Sequence, residues 1–501
     1  MNVLYLLSDD MRADIGAYGI SSVHTPHLDK LASSSFLFQH AYSQISVCSP
    51  SRQSFMTGLR PDTNKVFNFI DSNPLDTQAV PGHFRDHGYL TLGLGKTFHE
   101  ELGSWNADEY FNTTGSGRPY YKYKANECPI GNEGGGQCII PDEDIYDYHL
   151  RTQTIDYLKH AAEWSREENG KPFFLMAGFR DPHAPWAAPK RMYDLYDEDG
   201  IDLPPPESKT LGKDTPLIAW SAQLNVCLAN GTSFPYSYDI PVSDEVMRNQ
   251  RRAYYSSVSY VDEHIGAILD TLEEEGLADS TIVVFHSDHG YALGEHGYWE
   301  KKSNFDATIR VPLLIKVPGI TDDGGVVSDL VELIDAFPTI SSLAGLPPPM
   351  NVDGVDLSGL FSAESSDVEK GRNRVRGSRQ TVSQHKDAAY HQFPACNTPS
   401  FNSTRRQCNY TPASDFDFMG YSIRTKDWRY TIWLPWDGKI LEATWDGDYA
   451  DELYDHAGDD SSAFGKYEQV NMAAERQDVA KMLRRKLKAY FSSEAKISRI
   501  S

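Results

Sequence analysis

Positive charge is what this sequence has least of. Its 501 residues carry 47 Lys and Arg against 71 Asp and Glu, a net charge of -24. A protein that grips a duplex needs a basic face, so nucleic acid is not an expected partner. The surface as a whole also repels a long polyanion, while a small anion can still enter a locally basic pocket. Long apolar runs are missing too. None approaches the roughly eighteen residues of a spanning helix, so no membrane span is expected. No secretory leader pattern precedes Asn2-Val-Leu-Tyr-Leu-Leu7, which reads as a buried strand.

Cysteine is sparse, with six residues: Cys48, Cys128, Cys138, Cys227, Cys396 and Cys408. A core of this size needs no disulfide staples. Cys128/Cys138 and Cys396/Cys408 are close pairs in stretches rich in Gly, Pro and Asn. Read as short-loop disulfides, they imply an oxidising compartment: the secretory pathway, lysosomal or extracellular, or a periplasm. Read as unlinked loop thiols, they imply nothing about compartment. Asn-x-Ser/Thr sites begin at Asn112, Asn230, Asn402 and Asn409, about as many as chance gives. Cys48 and Cys227 remain over, and Cys48 lies in an odd setting: VCSPSRQSFMTG, residues 47–58.

What is present is alternation. Strand-like runs at Val3–Leu7, Tyr89–Leu94, Pro172–Gly178, Thr281–Phe285 and Val311–Val317 alternate with helical patterns at Thr25–Ser35, Ile155–Trp164 and Asp244–Glu275. That order predicts an α/β fold with a parallel sheet covered by helices on both faces. Residues from about 104 to 143 and 202 to 241 read as irregular insertions. From Met419 on, the pattern YSIRTKDWRYTIWL predicts antiparallel strands, closed by a helix over Gln477–Phe491. A boundary is expected near residue 378.

Ligands collect at the carboxyl ends of strands in open α/β sheets. Val3–Leu7 is followed by Asp9-Asp10, Tyr89–Leu94 by Lys96 and His99, Pro172–Gly178 by Arg180-Asp181-Pro182-His183, and Thr281–Phe285 by Asp288-His289. Alone, Asp9-Asp10 reads as a turn cap. With Asp288 at a second strand tip, three carboxylates describe a site for a hard cation, calcium or magnesium. His289 reads as a ligand or as a hydrogen-bond partner behind the ligands. Arg52, Lys96, His99, His183 and Lys301 are singly ordinary, but together with a metal they describe a site for sulfate or phosphate. Pro50 suits a helix start, which puts Cys48 at a positive helix end. A free thiolate is nonetheless a poor match for a hard cation.

The motif Cys48-Ser-Pro50-Ser51-Arg52, with Thr57-Gly58 behind it, resembles the signature of the formylglycine-dependent type I sulfatases. Met56 stands where leucine is usual. The resemblance runs nearly end to end and is nearest to the iduronate-sulfatase branch. It includes Asp9-Asp10-Met-Arg, Arg60-Pro-Asp-Thr63, Gly95-Lys96-x-Phe-His99, Ser287-Asp288-His289-Gly290, Lys301-x-Ser-Asn-Phe-Asp306 and Met419-Gly-Tyr-Ser-Ile-Arg-Thr425.

The resemblance implies an alkaline-phosphatase-like sandwich with a large, mostly parallel central sheet over residues 1–378. It implies a smaller C-terminal α+β subdomain with an antiparallel sheet over 379–501. It implies that Cys48 is converted to formylglycine (3-oxoalanine) by a formylglycine-generating enzyme and then hydrated to a diol. Asp9, Asp10, residue 48, Asp288 and His289 would hold calcium, magnesium being second choice. Arg52 and Lys96 would hold diol and sulfate oxygens, His183 and Lys301 would protonate the leaving group, and His99 would take a proton from the second hydroxyl. The substrate implied is a sulfated sugar. The iduronate-sulfatase branch has Lys-Pro-His where this chain has Asp181-Pro182-His183, so an aspartate is expected to reverse the charge beside the substrate. Two rival readings are a phosphate or phosphonate monoester hydrolase of the same fold and a non-catalytic binder of sulfated glycans whose Cys48 stays a thiol.

Overall fold

The computed structural model describes residues 1–73, 77–98, 138–167, 170–221, 237–361, 386–405, 407–461 and 464–492, and the backbone of four short strands at 109–111, 226–227, 233–234 and 368–369. His99, Cys128, the side chain of Cys227, Asn112, Asn230 and the boundary expected near residue 378 lie outside the described residues, as does much of both insertions.

The central sheet has ten strands. We label its main members β1 (Asn2–Ser8), β2 (Phe36–Tyr42), β3 (Leu90–Gly95), β4 (Phe173–Gly178), β5 (Thr281–Ser287), β6 (Leu313–Lys316) and β7 (Gly325–Glu332). Their order across the sheet is β7-β2-β6-β5-β1-β4-β3. β5, β1, β4 and β3 are mutually parallel, in a register that sets Leu7 beside His286 and Gly178, and Gly178 beside Gly95. The four carboxyl ends therefore open onto one edge. Two expectations are corrected. Phe36–Tyr42 and Gly325–Glu332 are strands that the apolar runs did not mark, because Gln39-His40 and Ser328-Asp329 interrupt them. β6 runs antiparallel to both neighbours, so the sheet is mixed, though mostly parallel.

The period-two pattern of each central strand feeds two cores. On β1, Leu4 and Leu6 pack on one face, while Val3, Tyr5 and Leu7 pack on the other. β4 and β5 divide the same way. The first face is covered by α3 (Tyr146–Arg166) and α4 (Asp244–Glu274), the second by α2 (Cys48–Thr57) and α5 (Ala336–Leu343), with α1 (Pro26–Ala32) against α4. Strands buried on both faces read as continuous apolar runs, as they do in the sequence.

The C-terminal part is an antiparallel sheet of β8 (Ala389–Ala395), β9 (Phe418–Arg424), β10 (Trp428–Asp437) and β11 (Ala450–Asp455). α6 (Gln477–Phe491) lays Val479, Leu483, Leu487 and Phe491 onto one face of it. Each such side chain, taken fully out of water, is worth about 1.5–3 kcal/mol. The other face presents Arg424, Arg429 and Thr431, all buried, toward the catalytic part. Cys396 and Cys408 form a disulfide, and Cys138 is also disulfide-bonded.

Candidate active site

Cys48 is the first residue of α2, with extended Val47 as its cap. Arg52 follows one turn later on the same face. The helix stops where Gly58 takes a left-handed φ of 69° and donates its N–H to Ser54. A Cβ at Gly58 would lie 2.8 Å from Val352 Cγ1, which accounts for the Thr-Gly ending.

Asp9 and Asp10 leave the tip of β1. Asp10 has φ 64°, a conformation uncommon outside glycine. Three bonds hold this turn: Asp10 N–H donates to Asp288 Oδ1 (3.2 Å), Met11 N–H to Ser287 Oγ (2.8 Å), and the Tyr254 hydroxyl to the Asp10 carbonyl (2.8 Å). Tyr254 belongs to the apolar stripe of α4. Its role in clamping the turn was not visible in the sequence, where it reads as core. Ser51, marked in the sequence only as a member of the Cys48 motif, has a hydroxyl that donates to the Asp288 carbonyl at 2.5 Å.

These elements converge on the Cys48 sulfur. Lys301 Nζ lies 2.9 Å from Sγ, Asp9 Oδ1 3.3 Å, His289 Nε2 3.4 Å and Lys96 Nζ 3.9 Å. Lys301 also donates to Asp10 Oδ1 at 2.6 Å, and Lys96 pairs with Asp9. Arg52 Nε donates to Asp288 Oδ2 at 3.0 Å, and its Nη1 reaches the carbonyls of Lys96 and Thr97. His183 is half-buried; one of its ring nitrogens lies within 4.8 Å of ligand atoms of Cys48 and Asp10. Of the residues named from the sequence, the structure thus brings together Asp9, Asp10, Cys48, Arg52, Lys96, His183, Asp288, His289 and Lys301. His99 lies outside the described residues.

The electrostatics are those of crowded charge. Burial pushes Asp9 up, but Lys96, His183, Lys301 and Arg52 outweigh it and hold its carboxyl well below the usual range. Burial, helped by Asp9 and Cys48, pushes Asp10 up to about 8 against the pull of Lys301. Burial and Asp9 push the Cys48 thiol up as well, so an unmodified thiol here is held protonated and is a weak nucleophile.

The donor set suits a hard divalent cation. Ligand atoms of Asp9, Cys48, Asp288 and His289 lie within 4.8 Å of one another, and all four residues are buried. Nδ1 of His289 faces the Gly290 carbonyl at 3.0 Å, which places the ring proton there and turns a bare Nε2 toward the carboxylates. Three carboxyl groups face Arg52, Lys96 and Lys301. An entering sulfate monoester would add negative charge that a divalent cation would offset.

Asp181 lies on the same turn as His183. Its side chain is fully buried, and burial with neighbouring Asp147 pushes its carboxyl well above the usual range. Asp147, on α3, accepts the N–H groups of Arg180 and Asp181 at 3.0 and 2.8 Å, and so anchors the turn that carries His183.

The family model described as Sulfatase matches residues 1–346. The chain belongs to the sulfatase family. Over 91% of its length this sulfatase is 33% identical to iduronate 2-sulfatase of Mus musculus, covering 88% of that protein, and the Homo sapiens iduronate 2-sulfatase matches with the same three figures. Its fold is shared with a phosphonate monoester hydrolase from Silicibacter pomeroyi, at TM-score 0.74 and 22% identity, covering 99% of this chain and 96% of that one. It is shared too with a protein solved in complex with its substrate D-glucosamine-2-N,6-O-disulfate, at TM-score 0.70 and 20% identity, covering 98% of each chain. This sulfatase is therefore a sulfuric ester hydrolase with an alkaline-phosphatase-like fold, similar along most of its length to iduronate 2-sulfatases. Among its described residues no helix is long and apolar enough to cross a membrane.

Proposed function

We propose that the chain hydrolyses a sulfate ester on a sulfated saccharide, using formylglycine at position 48 and a calcium ion. The observation that carries this reading is the setting of Cys48: a helix N-terminus, a buried sulfur, and acid, base and cation groups within 4 Å of it. Formylglycine, made from Cys48 by a formylglycine-generating enzyme, supplies a hydrated aldehyde whose two hydroxyls serve as nucleophile and as the means of release. Calcium, held by Asp9, Asp10, Asp288, His289 and residue 48, supplies a Lewis acid for the sulfate and the attacking hydroxyl. The metal set and the roles below are part of the proposal.

The chain's own residues then divide the remaining work. Lys96 and Arg52 hold oxygens of the nucleophile and sulfate, each already fixed by an aspartate at one end. Lys301, kept charged by Asp10 and Asp9 despite burial, is the proton donor to the leaving sugar oxygen. His183 has Nδ1 against the Ala184 carbonyl at 2.7 Å, which leaves Nε2 free to accept or pass a proton at the same oxygen. His99 is proposed to take the proton of the second hydroxyl. The Cys396–Cys408 disulfide supports an oxidising compartment, the secretory pathway or a periplasm.

Turnover of 4-nitrophenyl sulfate against 4-nitrophenyl phosphate and a phenyl phosphonate ester tests this reading. Preference for the sulfate ester is expected. Preference for either phosphorus ester overturns the assignment, and absence of all turnover in protein carrying formylglycine favours a glycan binder.

A further inference from the structure

Lys302, next to Lys301, is an unusual lysine. It has φ 77° and is only 7% exposed. Its backbone is pinned in that conformation. Its N–H donates to Ser46 Oγ at 3.1 Å, and its carbonyl accepts from the Tyr298 hydroxyl at 3.1 Å and from Arg405 Nη2 at 2.5 Å. A left-handed lysine held this firmly is a place to look for function.

Its ammonium lacks the partner that burial calls for. The Nζ donates to a neutral acceptor, Gln407 Oε1, at 2.7 Å. The nearest carboxylate oxygen, Glu300 Oε2, is 3.8 Å away, beyond hydrogen-bond reach, and Glu300 is itself partly exposed. Burial accordingly pushes the ammonium down. Gln407 is anchored by its neighbour Cys408, whose disulfide fixes the loop. Asn409 Nδ2 also donates to Gln407 Oε1, at 3.1 Å, so the amide oxygen is spent on two donors and its NH2 group is the part left for a ligand. The buried Arg405 that holds the Lys302 carbonyl stacks on Phe393 at 4.6 Å and carries no ion pair among the described residues. This corner adjoins the site: Lys302 follows Lys301, whose Nζ is 2.9 Å from Cys48 Sγ, and the Tyr298 hydroxyl faces both their carbonyls at 3.1 Å.

A buried ammonium whose ion-pair partner among the described residues is a partly exposed carboxylate 3.8 Å away is poorly compensated, and an anionic group on a ligand would complete it. We infer that Lys302, backed by Gln407 of the C-terminal subdomain, is a specificity-determining residue that binds a second anionic group of the substrate, a carboxylate or a further sulfate near the scissile sulfate ester. This rests on the sulfatase reading of the site.

The test uses enzyme carrying formylglycine and two matched pairs of sulfated disaccharides. One pair differs by a carboxylate in place of a hydroxymethyl group on the sulfated sugar, the other by an additional sulfate. In the wild type, kcat/KM is expected to favour the charged member of at least one pair. Lys302→Gln should lower that preference by about ten- to a hundred-fold, the loss of one hydrogen bond to a charged group, and mainly through KM. Lys302→Arg should restore most of it. The pair whose ratio moves identifies the group as carboxylate or sulfate. Gln407→Ala, with Lys302 intact, should move the same ratio in the same direction, and serves if Lys302→Gln folds poorly. Calorimetric binding of both pairs to the protein with Cys48 unoxidised gives a readout without turnover, and should show the same preference. Ratios that stay put in both variants overturn the inference and leave sulfatase activity standing. No sulfate release from any of the four by the wild type overturns both.

Discussion

Two buried clusters in this molecule hold three carboxylates against three strong cations, and they behave differently. At the seam between the sheets, Asp306, Asp459 and Glu468 face Arg310, Arg424 and Arg429. Each arginine grips a carboxylate: Arg310 Nε is 3.0 Å from Asp306, Arg424 Nη2 is 3.0 Å from Asp459, and Arg429 pairs with Glu468. The guanidinium planes also stack, Arg310 over Phe464 at 4.2 Å and Arg429 over Tyr454 at 4.8 Å. At the nucleophile, Asp9, Asp10 and Asp288 face Arg52, Lys96 and Lys301, and the carboxylates crowd each other and a thiol. Among the described residues, only the groups around Cys48 bring three or more metal-ligating atoms within 4.8 Å of one another. Buried charge is thus no signature of function by itself. In the seam each carboxylate has an arginine against it, and Asp459 and Glu468 have a histidine besides. At the site the carboxylates converge on one point, an arrangement suited to a cation.

That contrast can be broken or sharpened by experiment. The largest effect is expected at the seam. Arg429→Ala strips the guanidinium from buried Glu468, leaving it only His296, His456 and the Asp306 N–H, and should destabilise the fold by about 3–5 kcal/mol, read as a lower denaturation midpoint. At the site, Asp288→Asn should lower sulfate release about a hundred- to a thousand-fold while shifting the midpoint less than the seam variant does. If the two variants exchange these effects, the contrast is wrong. Calcium at about a hundred times its Kd should stabilise metal-depleted wild type by about 2.7 kcal/mol, and Asp288→Asn should largely abolish the gain. Equal gains in both proteins would place the ion elsewhere.

A smaller effect is expected beneath the His183 turn. Burial raises Asp147 from 3.8 to about 7, and it titrates together with Asp181. The folded state therefore binds more protons than the unfolded one across that window, so the contribution of Asp147 to stability falls as pH rises from about 4 to about 7. Asp147→Asn should flatten that slope in thermal melts. An unchanged slope would show that the pair is not protonated in the fold.

Much of the site was legible because its residues sit at strand tips, where a run of apolar letters ends on an ionisable one. Asp9, Lys96, His183 and Asp288 were found that way, and Cys48 by its motif. The sequence hid what depends on direction in space. It marked β6 as a strand but not as antiparallel, and it missed β2 and β7, whose apolar runs are broken by polar pairs. It offered Asp181 as a charge, but not that the side chain is buried beside Asp147, because spacing along the chain does not say what a side chain packs against. It gave no weight to Lys302, whose meaning comes from Gln407, over a hundred positions away.

The central claim is that the sulfur of Cys48 is only a precursor. Peptide mass spectrometry of the segment spanning residue 48, on protein from its natural host, tests it directly. The account predicts an aldehyde or its hydrate at that position, captured by a hydroxylamine probe, in step with sulfatase activity. Full activity in protein whose residue 48 is wholly thiol would contradict it.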